Sequence, residues 1–155
     1  MKALLLARGL GRRMQAAGGQ ATLTTAQQAA AKAGAKGMMP VGAAQQPFLA
    51  HVLGALADAG CHEVGLVVAP EHDAIREYFE GPRRPARVKL SYAVQAVADG
   101  TARAVLAGQA FVGDDPFLVL NADNLYPTKV LQTLVALDGP GLPAFEREAL
   151  AQESG

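Results

Sequence analysis

The sequence has little of what would connect it with an oxidising compartment, a membrane or a nucleic acid. Its 155 residues include one cysteine, Cys61, which excludes a disulfide within the chain and suits a reducing compartment. Lysine and arginine together number 14, as do aspartate and glutamate, so no basic excess favours nucleic-acid binding. No apolar run approaches the length that spans a bilayer. We therefore expect a cytoplasmic protein that has neither a membrane nor a nucleic acid as its partner.

The first apolar run, Ala3 to Ala7, is cut by Arg8 and is too short for the core of a signal peptide. It is continuous rather than alternating, which is typical of a strand buried in a parallel sheet. Gly9-Leu10-Gly11 and the cations Arg12-Arg13 follow. Glycines let main-chain N–H groups approach phosphate oxygens, and the arginine fork matches phosphate geometry. These residues alone fit a phosphate cradle and an ordinary strand–turn unit with exposed arginines about equally well.

Predicted strands and predicted helices alternate along the rest of the chain, without internal repeats. The predicted strands cover residues 3–7, 63–68, 88–94, 116–120 and 142–145. The predicted helices begin near Thr24, Pro47, Pro70 and Gly100, and a last one carries Leu131, Leu134 and Val135. This order predicts an α/β fold of three layers, with a mostly parallel sheet and helices on both faces. Residues 1–155 suffice for one domain, in which residues 15–35 are expected to form a mobile loop and a short helix.

Three polar elements follow three different predicted strands: the loop Gly9–Arg13, Gln95 and Asp123. Sheets of this kind bind ligands at the carboxyl ends of their strands, so we expect the three elements to converge on one edge. There Asp123 would ligate Mg²⁺, and Arg13 and Lys36 would neutralise charge on a phosphate. The alternative for Asp123 is a turn residue, because Asn-Ala-Asp-Asn is also a favourable turn sequence.

The ordered set of motifs resembles that of the sugar-phosphate nucleotidyltransferases, the NDP-sugar pyrophosphorylases, over about residues 2–150. Gly9 to Met14 stands where this family has Gly-x-Gly-Thr-Arg-Met or -Leu, and Lys36 to Pro40 is similar to its Lys-Pro-Met-x-Pro. Gln95 and the stretch Gly100 to Ala102 resemble the nucleobase-reading glutamine and the Gly-Thr-Ala-Asp-Ala helix start. Phe117 to Asn124 resembles the strand that ends in a metal-binding Asp-Asn pair.

The resemblance implies a Rossmann-like fold that transfers a nucleotidyl group from an NTP to a sugar 1-phosphate, releasing pyrophosphate and forming an NDP-sugar. It favours a pyrimidine base and leaves a homo-oligomer open. It implies Mg²⁺ as the cofactor, bound by Asp123, and Arg13 and Lys36 as the catalytic residues. The nucleotide-binding residues that it implies are Ala7, Gly9, Leu10, Gly11, Gln95, Gly100 and Thr101.

The chain departs from the family pattern at three positions. Arg12 replaces a threonine, Arg8 a small residue, and Arg103 the aspartate of the helix start. Family enzymes are also longer, and their additional residues supply most contacts to the sugar, so residues 1–155 are expected to be the nucleotide-binding half. Two other functions stay open: a nucleotide-binding domain without a complete acceptor site, and a nucleotidyltransferase of the cytidylyl or molybdopterin branch. The Gly-Thr-Ala helix start and the Asp-Asn pair favour sugar substrates over that branch.

Overall fold

A computed structural model of the chain describes residues 1–9 and 36–148. The strands in this part are β1 (Lys2–Leu6), β2 (Pro40–Val41), β3 (Gln46–Pro47), β4 (Glu63–Val68), β5 (Lys89–Val94) and β6 (Phe117–Asn121). The helices are α1 (Phe48–Asp58), α2 (Asp73–Glu80), α3 (Thr101–Ala107), α4 (Gln109–Val112) and α5 (Thr128–Val135), preceded by a 3-10 turn at Lys36–Met38.

Four of the strands form a parallel sheet in the order β5-β4-β1-β6, while β2 and β3 pair separately in antiparallel fashion. The inner strands are apolar runs because helices cover them on both sides: Ala3, Leu4 and Leu5 of β1 are completely buried. Leu6 lies level with Val67 of β4 on one side and with Asn121 of β6 on the other. All four carboxyl ends therefore open onto the same edge of the sheet.

Side chains of β1 alternate between two apolar layers, as the period of a strand requires. Ala3 and Leu5 belong to a core cluster that includes buried residues of α1, α2 and α5. Leu4 belongs to the opposite cluster, with Ala104 of α3 and Val112 of α4. The predicted arrangement of one parallel sheet between two helical layers is confirmed.

Two glycines allow α4 and the turn before it to lie directly on the sheet. A Cβ atom at Gly65 would lie 2.6 Å from Cδ1 of Phe111, and one at Gly108 would lie 2.5 Å from Cδ1 of Leu4. Real Cβ atoms do not approach their neighbours so closely, because protein interiors are already tightly packed. This second helical layer thus depends on residues that lack a side chain.

Several boundaries differ from the prediction. Leu142 to Phe145, predicted as a strand, has no regular structure, and Leu142 is 82% exposed because no neighbouring strand pairs with it. The helix at Gly100 is interrupted at Gly108. Leu106, predicted on its apolar side, is 57% exposed, and Ala104 is the residue of this helix that is buried. The helix expected from Pro70 begins at Asp73. The predicted loop and helix at residues 15–35 lie outside the described residues.

No helix within the described ranges is sufficiently long and apolar to cross a lipid bilayer.

Candidate functional site

A cavity of about 430 Å³ lies at the carboxyl edge of the sheet. Its wall is formed by the end of β1, the 3-10 turn, the loop between β5 and α3, the first residues of α3, and the end of β6. Its lining residues include Ala7, Arg8, Gly9, Lys36, Gly37, Gln95, Gly100, Thr101, Ala122 and Asp123. The chain thus brings distant polar groups together where parallel α/β sheets bind their ligands.

The strand register explains this convergence. One level across the sheet is formed by Leu6, Val67, Ala93 and Asn121. Arg8, Gln95 and Asp123 each lie two residues beyond this level, after β1, β5 and β6 respectively. Main-chain bonds extend the pairing past the strand ends, since Gln95 N donates to Val68 O at 3.0 Å. The polar row of the site is therefore a continuation of the sheet itself.

Lys36 and Asp123 form an ion pair at the rim of the cavity, with Nζ 3.6 Å from Oδ2. The segment that carries Lys36 lies against the end of β6, because a Cβ atom at Gly37 would be 3.8 Å from the Ala122 carbonyl oxygen. The Ala122 N–H in turn donates to Leu6 O at 3.2 Å, which fixes the turn before Asp123. Both charged side chains are partly open to solvent, at 28% and 49% exposure. A ligand entering the cavity can therefore reach both of them.

Gln95 is the buried polar residue of the site, at 7% exposure. Its Nε2 donates to Asp99 Oδ1 at 3.0 Å and to the Gly100 carbonyl oxygen at 3.2 Å. Gly100 adopts φ 109° and ψ 171°, a conformation that is essentially restricted to glycine. The loop before α3 therefore holds the Gln95 carboxamide through one nitrogen and two acceptors.

Arg8 lies in the site but is not among the site residues predicted from the sequence. In the sequence it stands out only as a departure from the family pattern. Its guanidinium lines the cavity and donates to two carbonyl oxygens, with Nε 2.6 Å from Gln95 O and Nη2 3.0 Å from Ala96 O. The signal is present in the sequence as a cation beside Gly9, at a strand end. What the sequence does not indicate is the partner, since Arg8 and Gln95 are far apart along the chain.

The ten site residues predicted from the sequence fall into two groups, one inside and one outside the residues that the structure describes. Seven of them line the one cavity: Ala7, Gly9, Lys36, Gln95, Gly100, Thr101 and Asp123. Three of them, Leu10, Gly11 and Arg13, lie outside the described residues. The roles assigned to all ten stay predictions, although seven are now known to lie together.

The carboxylate present in the cavity suits a metal ion that is already coordinated by the phosphates of a substrate. Among the described residues, Asp123 is the one carboxylate that lines this cavity, and no three His, Cys, Asp or Glu side chains form a metal cluster. Mg²⁺ is commonly held by one or two carboxylates, with water and substrate phosphates completing the octahedron. A single half-exposed carboxylate at the rim fits Mg²⁺ bound as a complex with a polyphosphate.

Comparisons with known proteins show the family of the chain. Residues 29–138 match the family model described as nucleotidyl transferase. The chain belongs to this family. A curated relative, the glucose-1-phosphate thymidylyltransferase of Neisseria meningitidis, is 32% identical over 100 residues, which are 64% of this chain and 34% of that protein. The CMP-5'-(3-aminopropyl)phosphonate synthase of Streptomyces rubellomurinus is 38% identical over 103 residues, 65% of this chain and 16% of that protein.

Solved structures support the fold of this nucleotidyl transferase chain. The UTP-bound UGPase from Acinetobacter baumannii superposes with a TM-score of 0.67 at 22% identity, covering 87% of this chain and 51% of that one. The predicted fold class is thereby confirmed, and the family model and the curated thymidylyltransferase confirm the resemblance to the sugar-phosphate nucleotidyltransferases. The chain spans about a third of the curated thymidylyltransferase and about half of the solved UGPase chain.

Proposed function

We propose that this chain is the nucleotide-binding half of a sugar-phosphate nucleotidyltransferase. The substrates are a pyrimidine nucleoside triphosphate, bound with Mg²⁺, and a sugar 1-phosphate. The products are an NDP-sugar and pyrophosphate. The observation that carries the proposal is the meeting of Gln95, Lys36 and Asp123 on one cavity at the carboxyl edge of a parallel sheet.

Each of these groups suits one part of a nucleotide. Gln95, held in the loop before α3, offers its carboxamide to the edge of a base. Lys36 pairs with Asp123 after β6, the outer strand opposite β5, and there it contributes a compact positive charge for the phosphates. Asp123 contributes the carboxylate of a Mg²⁺–polyphosphate complex, and the ion supplies screening of phosphate charge. The site thus offers a neutral amide for the base of a nucleotide and charged groups for its phosphates.

The proposed reaction is an in-line displacement at the α-phosphorus of the NTP. A phosphate oxygen of the sugar 1-phosphate forms the new P–O bond while the bond to the pyrophosphate breaks, and the pyrophosphate carries away the electron pair. Lys36 offsets the charge that builds up on the phosphates, and we assign the same role to Arg13. Alignment of the two anions is the larger task, since both are negative and must meet within bonding distance.

Isothermal titration calorimetry tests the proposal, with UTP, dTTP, CTP, GTP and ATP as ligands, each with and without Mg²⁺. We expect a pyrimidine triphosphate to bind more tightly than either purine, and its binding to weaken when Mg²⁺ is removed. Equal, undetectable heats for all five nucleotides would refute nucleotide binding.

A second candidate function is nucleotide binding without efficient turnover. The matched region is only 34% of the Neisseria thymidylyltransferase, so much of such an enzyme has no counterpart among the matched residues. A reaction that depends on aligning two reactants loses effective molarities of about 10⁵ M or more when one is not held. Pyrophosphate release from a pyrimidine NTP, with glucose 1-phosphate and Mg²⁺ present, separates the two when it is measured for this chain and for one extended by a relative's remaining residues. Rapid release at equal rates for both lengths would exclude this second candidate.

The cytidylyl branch is the third candidate, favoured by the similarity to CMP-5'-(3-aminopropyl)phosphonate synthase. The same calorimetric panel distinguishes it. Tighter binding of CTP than of UTP and dTTP would support this branch over the sugar-phosphate branch.

A further inference from the structure

Arg8 connects two strands that are not neighbours in the sheet. β4 lies between β1, which Arg8 follows, and β5, which Gln95 follows. The Arg8 side chain passes the end of β4 and donates from Nε to Gln95 O at 2.6 Å and from Nη2 to Ala96 O at 3.0 Å. Hydrogen bonds from a charged donor are stronger than those between neutral groups. Arg8 thus ties the end of β1 to the loop that carries the predicted base-reading residue.

This link completes the restraint of the Gln95 main chain. The Gln95 N–H donates to Val68 O at 3.0 Å, and its carbonyl oxygen accepts from Arg8. Both main-chain polar groups of Gln95 are therefore held, one by the sheet and one by a side chain. Without Arg8, the second restraint is absent and the loop from Gln95 to Gly100 is attached at fewer points.

The bonds of the Gln95 side chain determine which end of its amide a ligand meets. Nε2 lies within hydrogen-bonding distance of two acceptors, Asp99 Oδ1 and Gly100 O. The nitrogen has two hydrogens, so both are used, and the reverse orientation would bring an oxygen against two oxygens. Oε1 is then the end left to meet a ligand, and it can only accept. Uracil and thymine present a ring N–H at N3, whereas cytosine presents an acceptor there.

The two carbonyl oxygens do not satisfy the whole Arg8 guanidinium. Its Nη1 is buried and has no hydrogen-bond partner among the described residues, and no carboxylate in that part of the chain pairs with its guanidinium. A buried donor that is left unpaired costs about 1–3 kcal/mol. Among the described residues, the hydrogen bonds that Arg8 makes are therefore the two that hold the loop after β5.

We propose that Arg8 is a positioning residue for base recognition, which holds Gln95 so that its carboxamide oxygen accepts the ring N–H of uracil or thymine. The role rests on the proposed function, because it assumes that a nucleobase enters the cavity beside Gln95. Arg8 acts through Gln95 and Ala96. It is therefore expected to affect which base binds rather than whether phosphates bind.

Hydrogen exchange of the ligand-free protein tests the restraint itself. Arg8→Ala is expected to raise exchange by about tenfold or more over residues 95–100, while the interiors of β1 and β4 keep their rates. Arg8→Lys retains the charge but not the two-pronged donor, so an intermediate increase is expected. Arg84→Ala removes an exposed arginine far from the cavity and is expected to change nothing at residues 95–100. Unchanged exchange at 95–100 in both Arg8 variants, or faster exchange across the whole sheet, would overturn the proposal.

Calorimetry then tests the link to base recognition. The unmodified chain is expected to bind UTP more tightly than CTP, and Arg8→Ala to reduce that ratio of dissociation constants several-fold, with Arg84→Ala as the unchanged control. A ratio that is the same with and without Arg8, or a preference for CTP in the unmodified chain, contradicts the proposed role. If the unmodified chain binds no nucleotide, the proposed function fails, whereas the restraint is still decided by the exchange rates.

Discussion

The ammonium group of Lys36 lies 3.6 Å from the carboxylate of Asp123, across the rim of the cavity. With 28% and 49% of the two side chains exposed, solvent screens this pair, and such pairs contribute about 0–1 kcal/mol to stability. An ion pair that contributes so little to stability is free to rearrange when a ligand arrives. In the proposed function, Lys36 then turns to the phosphates and Asp123 to the metal ion.

Lys36→Ala is expected to lower the affinity for a Mg²⁺–NTP complex by about tenfold or more, since a hydrogen bond to a charged group contributes about 1.5–3 kcal/mol. The free energy of unfolding should change by less than about 1 kcal/mol. Calorimetry measures the first quantity and urea denaturation the second. Lys89→Ala, which removes an exposed lysine at the amino end of β5, is the matched control. Equal nucleotide affinity in the two variants would exclude Lys36 from the site.

Asp123→Asn is expected to remove most of the dependence of nucleotide binding on Mg²⁺, because an amide oxygen without charge is a weaker ligand for the ion. Affinity measured without Mg²⁺ should stay nearly unchanged. Asp114→Asn, at an exposed position before β6, serves as the control. An Mg²⁺ dependence that survives in Asp123→Asn would mean that other groups hold the metal.

Gly100→Ala is expected to destabilise the protein by about 1–3 kcal/mol, because φ 109° with ψ 171° is strained for any residue with a Cβ atom. The same change should weaken nucleotide binding, since the Gly100 carbonyl oxygen is an acceptor for Gln95 Nε2. Gly54→Ala provides a control of opposite sign. Gly54 lies inside α1, and a Cβ atom there would meet no neighbour within 4 Å, so alanine should stabilise by about 0.5–1 kcal/mol. Thermal denaturation of both variants gives the comparison, and equal shifts in the two would contradict it.

Tyr92→Phe is expected to leave stability unchanged or to raise it by up to about 1 kcal/mol. The Tyr92 hydroxyl is buried without a hydrogen-bond partner among the described residues, and burial raises the pKa of this phenol. Removing an unpaired polar group loses no bond, and phenylalanine keeps the ring beneath Arg76, whose Cζ lies 4.7 Å from the ring centroid. Tyr92→Ala, which also removes the ring, should cost more than about 1 kcal/mol. Urea denaturation distinguishes these results, and a clear loss in Tyr92→Phe would indicate a partner for the hydroxyl.

Stability is expected to fall as the pH drops below about 6.5. Burial lowers the pKa of His72 below its ordinary value of 6.5; the charge of Glu71 opposes this shift, and that of Arg8 adds to it. Below pH 6.5 the unfolded chain therefore binds more protons than the folded chain, so the free energy of unfolding rises with pH. The contribution of His72 to stability is fully present above pH 6.5. The contribution of one such group cannot exceed a slope of about 1.4 kcal/mol per pH unit.

Urea denaturation at several pH values between about 5 and 8 measures this effect, with His72→Gln as the comparison. The variant should show a shallower dependence over that range. Parallel curves for the two proteins would assign the pH dependence to other groups.

The sequence by itself determined the four strands of the parallel sheet and seven of the residues that line the cavity. A continuous apolar run identifies a strand buried on both faces, and it predicts Glu63–Val68 with the bounds that the structure has. Polar residues that follow such runs lie at strand ends, and parallel strands share their carboxyl edge. That Gln95 and Asp123 line the same cavity as Gly9 follows from these local signals without knowledge of the strand order.

Only the tertiary structure decided the features that require contact between distant segments, namely strand pairing and long-range hydrogen bonds. Whether Leu142 to Phe145 forms a strand depends on a pairing partner, and among the described residues it has none. Likewise, Arg8 acquires its hydrogen bond to Gln95 only because the order β5-β4-β1-β6 brings Gln95 within reach of its guanidinium. Local pattern records the burial and conformation of each residue, whereas a hydrogen bond between distant segments depends on distances that the whole fold sets.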